Sequence, residues 1–299
     1  MCKEKILIFG VGVAGRALYR ELNSTHNIIG FIDNNKRLDG TKYNNKKIHS
    51  LDKLPLLSFD KIAITGIWVN SMKNQLQSLN IKDSKIMEIA DNAINFSTQS
   101  RTKETDNIMK NISQIFTDNK IDYYIIGSSL ATLFRNKDLS SVADVDLFLT
   151  SQKDAISFYD FITTSPLFKE YDIEKVLYLE DEILVKKGDI KKIIISSKSI
   201  KAQEEPSIID ISIADFLDEK YMVRHGVNYI YIPKNLCEGL RYHKYKDLEL
   251  QIPFLAEDYL CLLYGKNWII PPKKWDQSDY GNLLSPVEVQ KLKESLGAR

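Results

Sequence analysis

Apolar positions along this chain follow two rhythms. Lys5-Ile6-Leu7-Ile8-Phe9 is a short continuous apolar run that stops at Gly10-Val11-Gly12-Val13-Ala14-Gly15, and a helix-like Arg16 to Asn23 follows. Asn27-Ile28-Ile29-Gly30-Phe31-Ile32-Asp33 is a second run, ending in an acid. Short apolar runs bounded by glycine predict strands buried on both faces, as in a parallel sheet. Lys61 to Thr65 and Lys85 to Ile89 predict two more, with a helix near Val69 to Leu79 between them. Asp91 to Asp106 is polar and aperiodic, which predicts a linker. Beyond it the rhythm changes. Ile108 to Phe116 has helical spacing, while Val145-Leu147-Leu149 alternate with Asp146 and Phe148, and Ile209-Ile211-Ile213 with Asp210 and Ser212. That period of two predicts strands with one face in a core. Asp215 to Lys220 predicts a short helix and Asn228 to Ile232 a strand, and Pro233-Lys234-Asn235-Leu236-Cys237 then enters another helix running to about Lys244. Ala256 to Tyr264 and Pro286 to Leu296 predict the last two helices. The expected class is α/β: a parallel-sheet domain over residues 1–92, then an α+β domain over 106–299.

The first domain carries chemistry of its own. Strand, Gly-x-Gly-x-x-Gly, helix, strand and acid is the dinucleotide-binding order. Gly10 permits the tight turn, Gly12 lets phosphate approach the backbone, Gly15 allows close helix packing, and Asp33 can accept from ribose hydroxyls. About four strands make one Rossmann-like mononucleotide half. A nucleotide or nucleotide-sugar is therefore the expected ligand. The alternative is a half that is built but empty. With Gly30-Phe31-Ile32-Asp33-Asn34, the domain resembles small N-terminal domains of bacterial sugar-modifying enzymes.

The second domain is organised around Asp144-Val145-Asp146. Alternation puts Asp144, Asp146 and Phe148 on one face and Val145, Leu147 and Leu149 on the core side. Neighbouring carboxylates repel when ionised, and a hard divalent cation such as Mg²⁺ or Mn²⁺ relieves that repulsion. Asp210, in Ile209-Asp210-Ile211, joins them if its strand lies beside the first. Gly127-Ser128 sits between a strand and a helix, where free N–H groups face phosphate. Asp-x-Asp alone is weak. The turn, the acid pair and the later acid in this order favour a metal site.

That order resembles the nucleotidyltransferase fold and, more narrowly, the LicD/fukutin-like family. The matching residues are Gly127, Ser128, Leu130, Arg135, Asp144, Asp146 and Ile209-Asp210-Ile211. A later block, Tyr264-Gly265 with Trp268 and Pro271-Pro272-Lys273, resembles the family's closing segment. The family's acidic run is longer than Ser140-Ser141-Val142-Ala143. The resemblance implies catalytic Asp144, Asp146, Asp210 and Arg135, metal on the three acids, and substrate contacts from Gly127, Ser128 and Lys273. It also implies transfer of a phospho-alcohol from a CDP-linked donor to a sugar hydroxyl of a surface glycan. The residues themselves leave two alternatives open: transfer of NMP from an NTP, or a degenerate scaffold that binds nucleotide sugar.

Composition adds exclusions. Lys plus Arg number 41 against 40 acids, a net charge of +1, which disfavours a nucleic-acid binder. Cys2, Cys237 and Cys261 are odd in number and widely spaced, which suits a reducing cytoplasm. No leader is expected, and no run approaches the roughly 20 apolar residues of a membrane span. A homo-oligomer is left open. Lys186, Lys187, Lys191, Lys192, Lys198 and Lys201 form a loose basic run, read as a solvated face or as a patch for an anionic donor or phosphorylated acceptor.

Overall fold

The computed structural model describes residues 4–66, 68–89, 94, 96–197, 206–225, 228–271 and 279–297. Its described residues divide into two compact units, one of residues up to Phe96 together with Pro271 and Asp279, the other of residues 97–197, 206–270 and 280–297. Lys198, Lys201, Pro272 and Lys273 lie outside the described residues.

In the N-terminal unit, β1 (Lys5–Phe9), β2 (Asn27–Asp33), β3 (Lys42–Tyr43), β4 (Lys46–Ser50), β5 (Lys61–Ile64) and β6 (Ile86–Glu88) form one sheet in the order β3-β4-β2-β1-β5-β6. Every pair is parallel except the β3/β4 hairpin. This is a Rossmann-like half with one parallel strand more than the sequence suggested. The β3/β4 hairpin escaped notice because Lys42 to Ser50 is mostly polar. Its turn is set by Asn44 and Asn45 at φ 47° and 61°, a conformation asparagine tolerates. Helices α1 (Val13–Leu22) and α2 (Val69–Ser78) connect strands of this sheet. Gly15 lies in α1 so close to β1 that a Cβ there would stand 2.0 Å from the Gly10 carbonyl oxygen. Gly12 has open space where its Cβ would be.

The C-terminal unit has an eight-stranded sheet. Strands β9 (Tyr171–Leu177), β10 (Ile190–Ser197), β11 (Ile208–Leu217), β12 (Lys220–His225), β13 (Asn228–Pro233) and β16 (Leu283–Leu284) run antiparallel in that order. Strand β8 (Val145–Leu149) pairs parallel with β11, and β7 (Tyr123–Ile125) pairs antiparallel with β8. Val145, Leu147, Leu149, Ile209, Ile211 and Ile213 are all buried, as their alternation requires. Phe148 is buried as well, stacked on Tyr124 at 5.2 Å. Helices α3 (Gln99–Asn119), α4 (Gly127–Phe134), α5 (Gln152–Thr164), α6 (Ala256–Tyr264) and α7 (Pro286–Gly297) complete the unit with the β14/β15 hairpin (Arg241–Tyr245, Leu248–Ile252). Among the described residues no helix is long and apolar enough to cross a membrane.

Three local expectations differ. The segment read as a linker becomes helix at Gln99, capped by the Thr98 hydroxyl accepting from Arg101 N–H. Asp215 to Leu217 continues β11, because Asp218 and Glu219, at φ 49° and 55°, turn the chain into β12. The helix expected up to Lys244 is instead a single turn at Lys234–Leu236 followed by β14.

The glycine geometry separates packing from ligand approach. Gly15→Ala is expected to destabilise the N-terminal unit by about 1–3 kcal/mol, the scale of overpacking. Gly12→Ala should leave stability within about 0.5 kcal/mol. Denaturant melts of the two variants compare them directly.

Candidate functional site

Strands β8 and β11 bring the acids together. Their parallel register sets Asp146 directly beside Asp210, one strand spacing away, about 4.8 Å. Asp144 stands just before β8. Burial, then Asp144, then Asp210 push the Asp146 carboxyl well above its ordinary 3.8, while Lys192 and a Ser128 hydrogen bond pull it back. Asp210 Oδ2 accepts from the Lys192 ammonium. Asp210 Oδ1 is buried with no hydrogen-bond partner among the described residues.

The N-terminus of α4 closes against these acids. Gly127 has φ 59°, which favours glycine, and a Cβ there would lie 3.4 Å from Asp146 Oδ2. Its N–H donates to the Tyr259 hydroxyl at 3.3 Å. The Ser128 hydroxyl donates to Asp146 Oδ2 at 3.5 Å. Ser129 fixes the acid-bearing backbone: its hydroxyl accepts from Asp146 N–H at 2.8 Å and donates to the Asp144 carbonyl at 3.4 Å. The first turn of a helix has N–H groups without intrahelical partners, so an anion is favoured here.

The residues chosen from sequence separate at this point. Gly127, Ser128, Asp144, Asp146 and Asp210 are neighbours. Arg135 is not in that group. It caps the far end of α4, about 12 Å along the helix from Gly127. Its guanidinium donates to the Trp268 and Ile269 carbonyls, the latter at 3.1 Å. Arg135 therefore anchors the loop after α6. Among the described residues no three His, Cys, Asp or Glu side chains are gathered as a cage. Uncompensated carboxylates repel, and Lys192 already occupies one side of Asp210. The donors nevertheless suit a hard divalent cation, because a buried carboxylate oxygen without a partner among the described residues stands beside a second carboxylate.

Arg101 was missed. It is 2% exposed, in the segment read as linker. Its guanidinium donates to the Ser140 carbonyl at 2.6 Å, the Ala143 carbonyl at 2.5 Å and the Pro206 carbonyl at 3.3 Å. It thus ties down the chain just ahead of Asp144 and just ahead of β11. Thr105 adds a hydroxyl contact to Ser207 at 3.0 Å. A buried arginine leaves no mark in apolar periodicity, so only its position three residues after a cap-forming Thr98 could have suggested helix.

In the N-terminal unit Gly12 caps α1 with no side-chain cap. Asp33 is turned towards the glycine loop. Its Oδ2 accepts from Val11 N–H at 2.9 Å and its Oδ1 from Asn35 N–H at 2.8 Å. The acid thus braces the loop.

Residues 2–87 match the family described as C2185-like, N-terminal. No curated protein matches the chain. Among solved structures, UDP-D-quinovosamine 4-dehydrogenase from Vibrio fischeri is 21% identical over 29% of this chain and 79% of its own, with a TM-score of 0.26. The lincosamide antibiotic adenylyltransferase LnuA, lincomycin-bound, is 12% identical over 68% of this chain and 99% of its own, with a TM-score of 0.33. ANT(2")-Ia in complex with adenylyl-2"-tobramycin is 14% identical over 67% and 91%, with a TM-score of 0.32. Likenesses at these scores decide nothing about function. The LicD/fukutin-like resemblance rests on its motif residues alone.

Two consequences can be measured. Arg101→Met leaves three carbonyls without a donor, two of them at either end of the turn before Asp144, and is expected to cost about 2–4 kcal/mol in a denaturant melt. Asp146 works in the other direction. Its folded carboxyl binds a proton more tightly than the unfolded one. Without divalent cation, stability is therefore expected to fall as pH rises from about the ordinary carboxylate value through the raised one. Asp146→Asn removes that loss, so the variant should melt higher than wild type in EDTA at neutral pH.

Proposed function

We propose that the C-terminal unit is a divalent-cation-dependent transferase acting at a phosphate of a nucleotide-activated donor. The observation that carries this reading is Asp146 beside Asp210 in register, against the α4 N-terminus, with a buried carboxylate oxygen that has no hydrogen-bond partner among the described residues. Asp144, Asp146 and Asp210 would hold the cation. Bound there, it would neutralise phosphate charge and polarise the phosphoryl group. The chain's own residues do the positioning. The N–H groups of Ser128 and Ser129 would receive a phosphate oxygen, while that of Gly127 is held by Tyr259. Ser129 holds the backbone of both first acids, and Arg101 holds the approach to both strands. Arg135 keeps the loop after α6 against α4.

The motif resemblance supports a finer reading: transfer of a phospho-alcohol from a CDP-linked donor to a sugar hydroxyl. In the N-terminal unit, the open space at Gly12 supports a nucleotide or nucleotide-sugar whose phosphate meets the start of α1.

A screen of CDP-linked alcohols and of NTPs with Mg²⁺ and sugar acceptors tests the assignment. Released CMP is expected with a CDP-alcohol. Pyrophosphate from an NTP would redirect the assignment to nucleotidyl transfer. Asp146→Asn should lower turnover by about 100-fold or more, the scale of a lost transition-state charge contact, while remaining folded. Turnover at the wild-type level in that variant would remove Asp146 from the site.

A further inference from the structure

Of the described lysines in the basic run, Lys186 and Lys187 are exposed while Lys191 and Lys192 are half-buried. Along β10 successive side chains leave on opposite faces. The Lys191 ammonium lies 5.7 Å from the centre of the Tyr178 ring. Lys192 goes to the other face, the one that bears the acids. Its register partner is Ser212, and Asp210, two residues earlier on β11, pairs with Ile194. The Lys192 ammonium closes diagonally onto Asp210 Oδ2.

This ion pair is incomplete in a specific way. The ammonium satisfies one oxygen of Asp210, and the other is buried and unbonded among the described residues. The pair is also not sealed. The Lys192 side chain is 33% exposed, against 15% for Asp210. A lysine has a compact charge on a flexible four-carbon stem and can leave a partner without breaking a bidentate fork. A divalent cation at Asp210 would repel an ammonium at the same carboxylate.

From this geometry we propose that Lys192 is the resident counterion of the acid face: it stands in for the divalent cation, is displaced when that cation binds, and then contacts a phosphate of the donor. The proposal rests on the transferase reading above. It makes metal and lysine competitors for one carboxylate, and lysine and metal partners on one donor.

Calorimetric titration of chelator-stripped full-length protein with Mn²⁺, and then with CDP in excess Mn²⁺, separates these roles. Lys192→Met should bind Mn²⁺ about tenfold tighter than wild type, and CDP about tenfold weaker. Lys192→Gln is the second variant, in case the methionine disturbs packing, and should move both affinities in the same directions. Mn²⁺ affinity unchanged or weaker in the folded variants would overturn the counterion role. CDP affinity unchanged would overturn the phosphate contact. Absence of Mn²⁺ binding in wild type and both variants would bring down the transferase reading itself, and this proposal with it.

Discussion

Two carboxylates held side by side on adjacent parallel strands are the constraint around which the C-terminal unit is built. At about 4.8 Å and an effective dielectric of about 20, two full charges repel by roughly 3 kcal/mol. The opposite face of the same strands supplies the opposing force. Val145, Leu147, Leu149, Ile209, Ile211 and Ile213 are each no more than 1% exposed. Burying each such side chain is worth about 1.5–3 kcal/mol. Their sum exceeds the repulsion severalfold, so the sheet can hold the acids in register without a metal. The tension shows in the Asp146 carboxyl, pushed well above its ordinary value by burial and by Asp144 and Asp210, and in the lysine drawn onto Asp210.

The backbone around the acids is fixed from three directions. Ser129 holds it from α4, Tyr259 holds Gly127 from α6, and Arg101 holds the preceding turns from α3. Each contact uses a side-chain group on a main-chain group. Such contacts set where the carboxylates stand without adding charge to the site. Arg101 contributes a guanidinium, but it is fully occupied by carbonyl oxygens ahead of the strands. The N-terminal unit uses the same device at smaller scale, with the Asp33 carboxylate accepting from the glycine loop.

What was legible in the sequence was whatever periodicity encodes. Alternation in β8 and β11 put the acids on one face and the aliphatics on the other, and the glycine loop announced the first βαβ. Parallel pairing of β8 with β11 was conditional in the sequence, because two strands 60 residues apart carry no local sign of adjacency. The Asp218-Glu219 turn was hidden, since two acids at positive φ resemble a polar helix start. Strand β14 was hidden because Arg-Tyr-His-Lys-Tyr has too few apolar residues to show a period. Arg135 stands at the end of α4, where its motif spacing puts it, and its side chain reaches the Trp268 and Ile269 carbonyls, contacts that no local pattern announces. Arg101 was invisible because a buried cation satisfied by carbonyls leaves a polar segment looking solvated.

The location of Arg101 has a consequence for how such two-part chains can be assembled. The residues that match an N-terminal family stop at 87, and the helix bearing the arginine opens at Gln99. A shuffling event that swaps the leading module has only about a dozen positions in which to join. A junction upstream of Thr98 hands over the new module and leaves the clamp whole. A junction at Asp106 carries the guanidinium away with the departing piece, and the transplanted remainder would keep every acid yet lose the support that aims them.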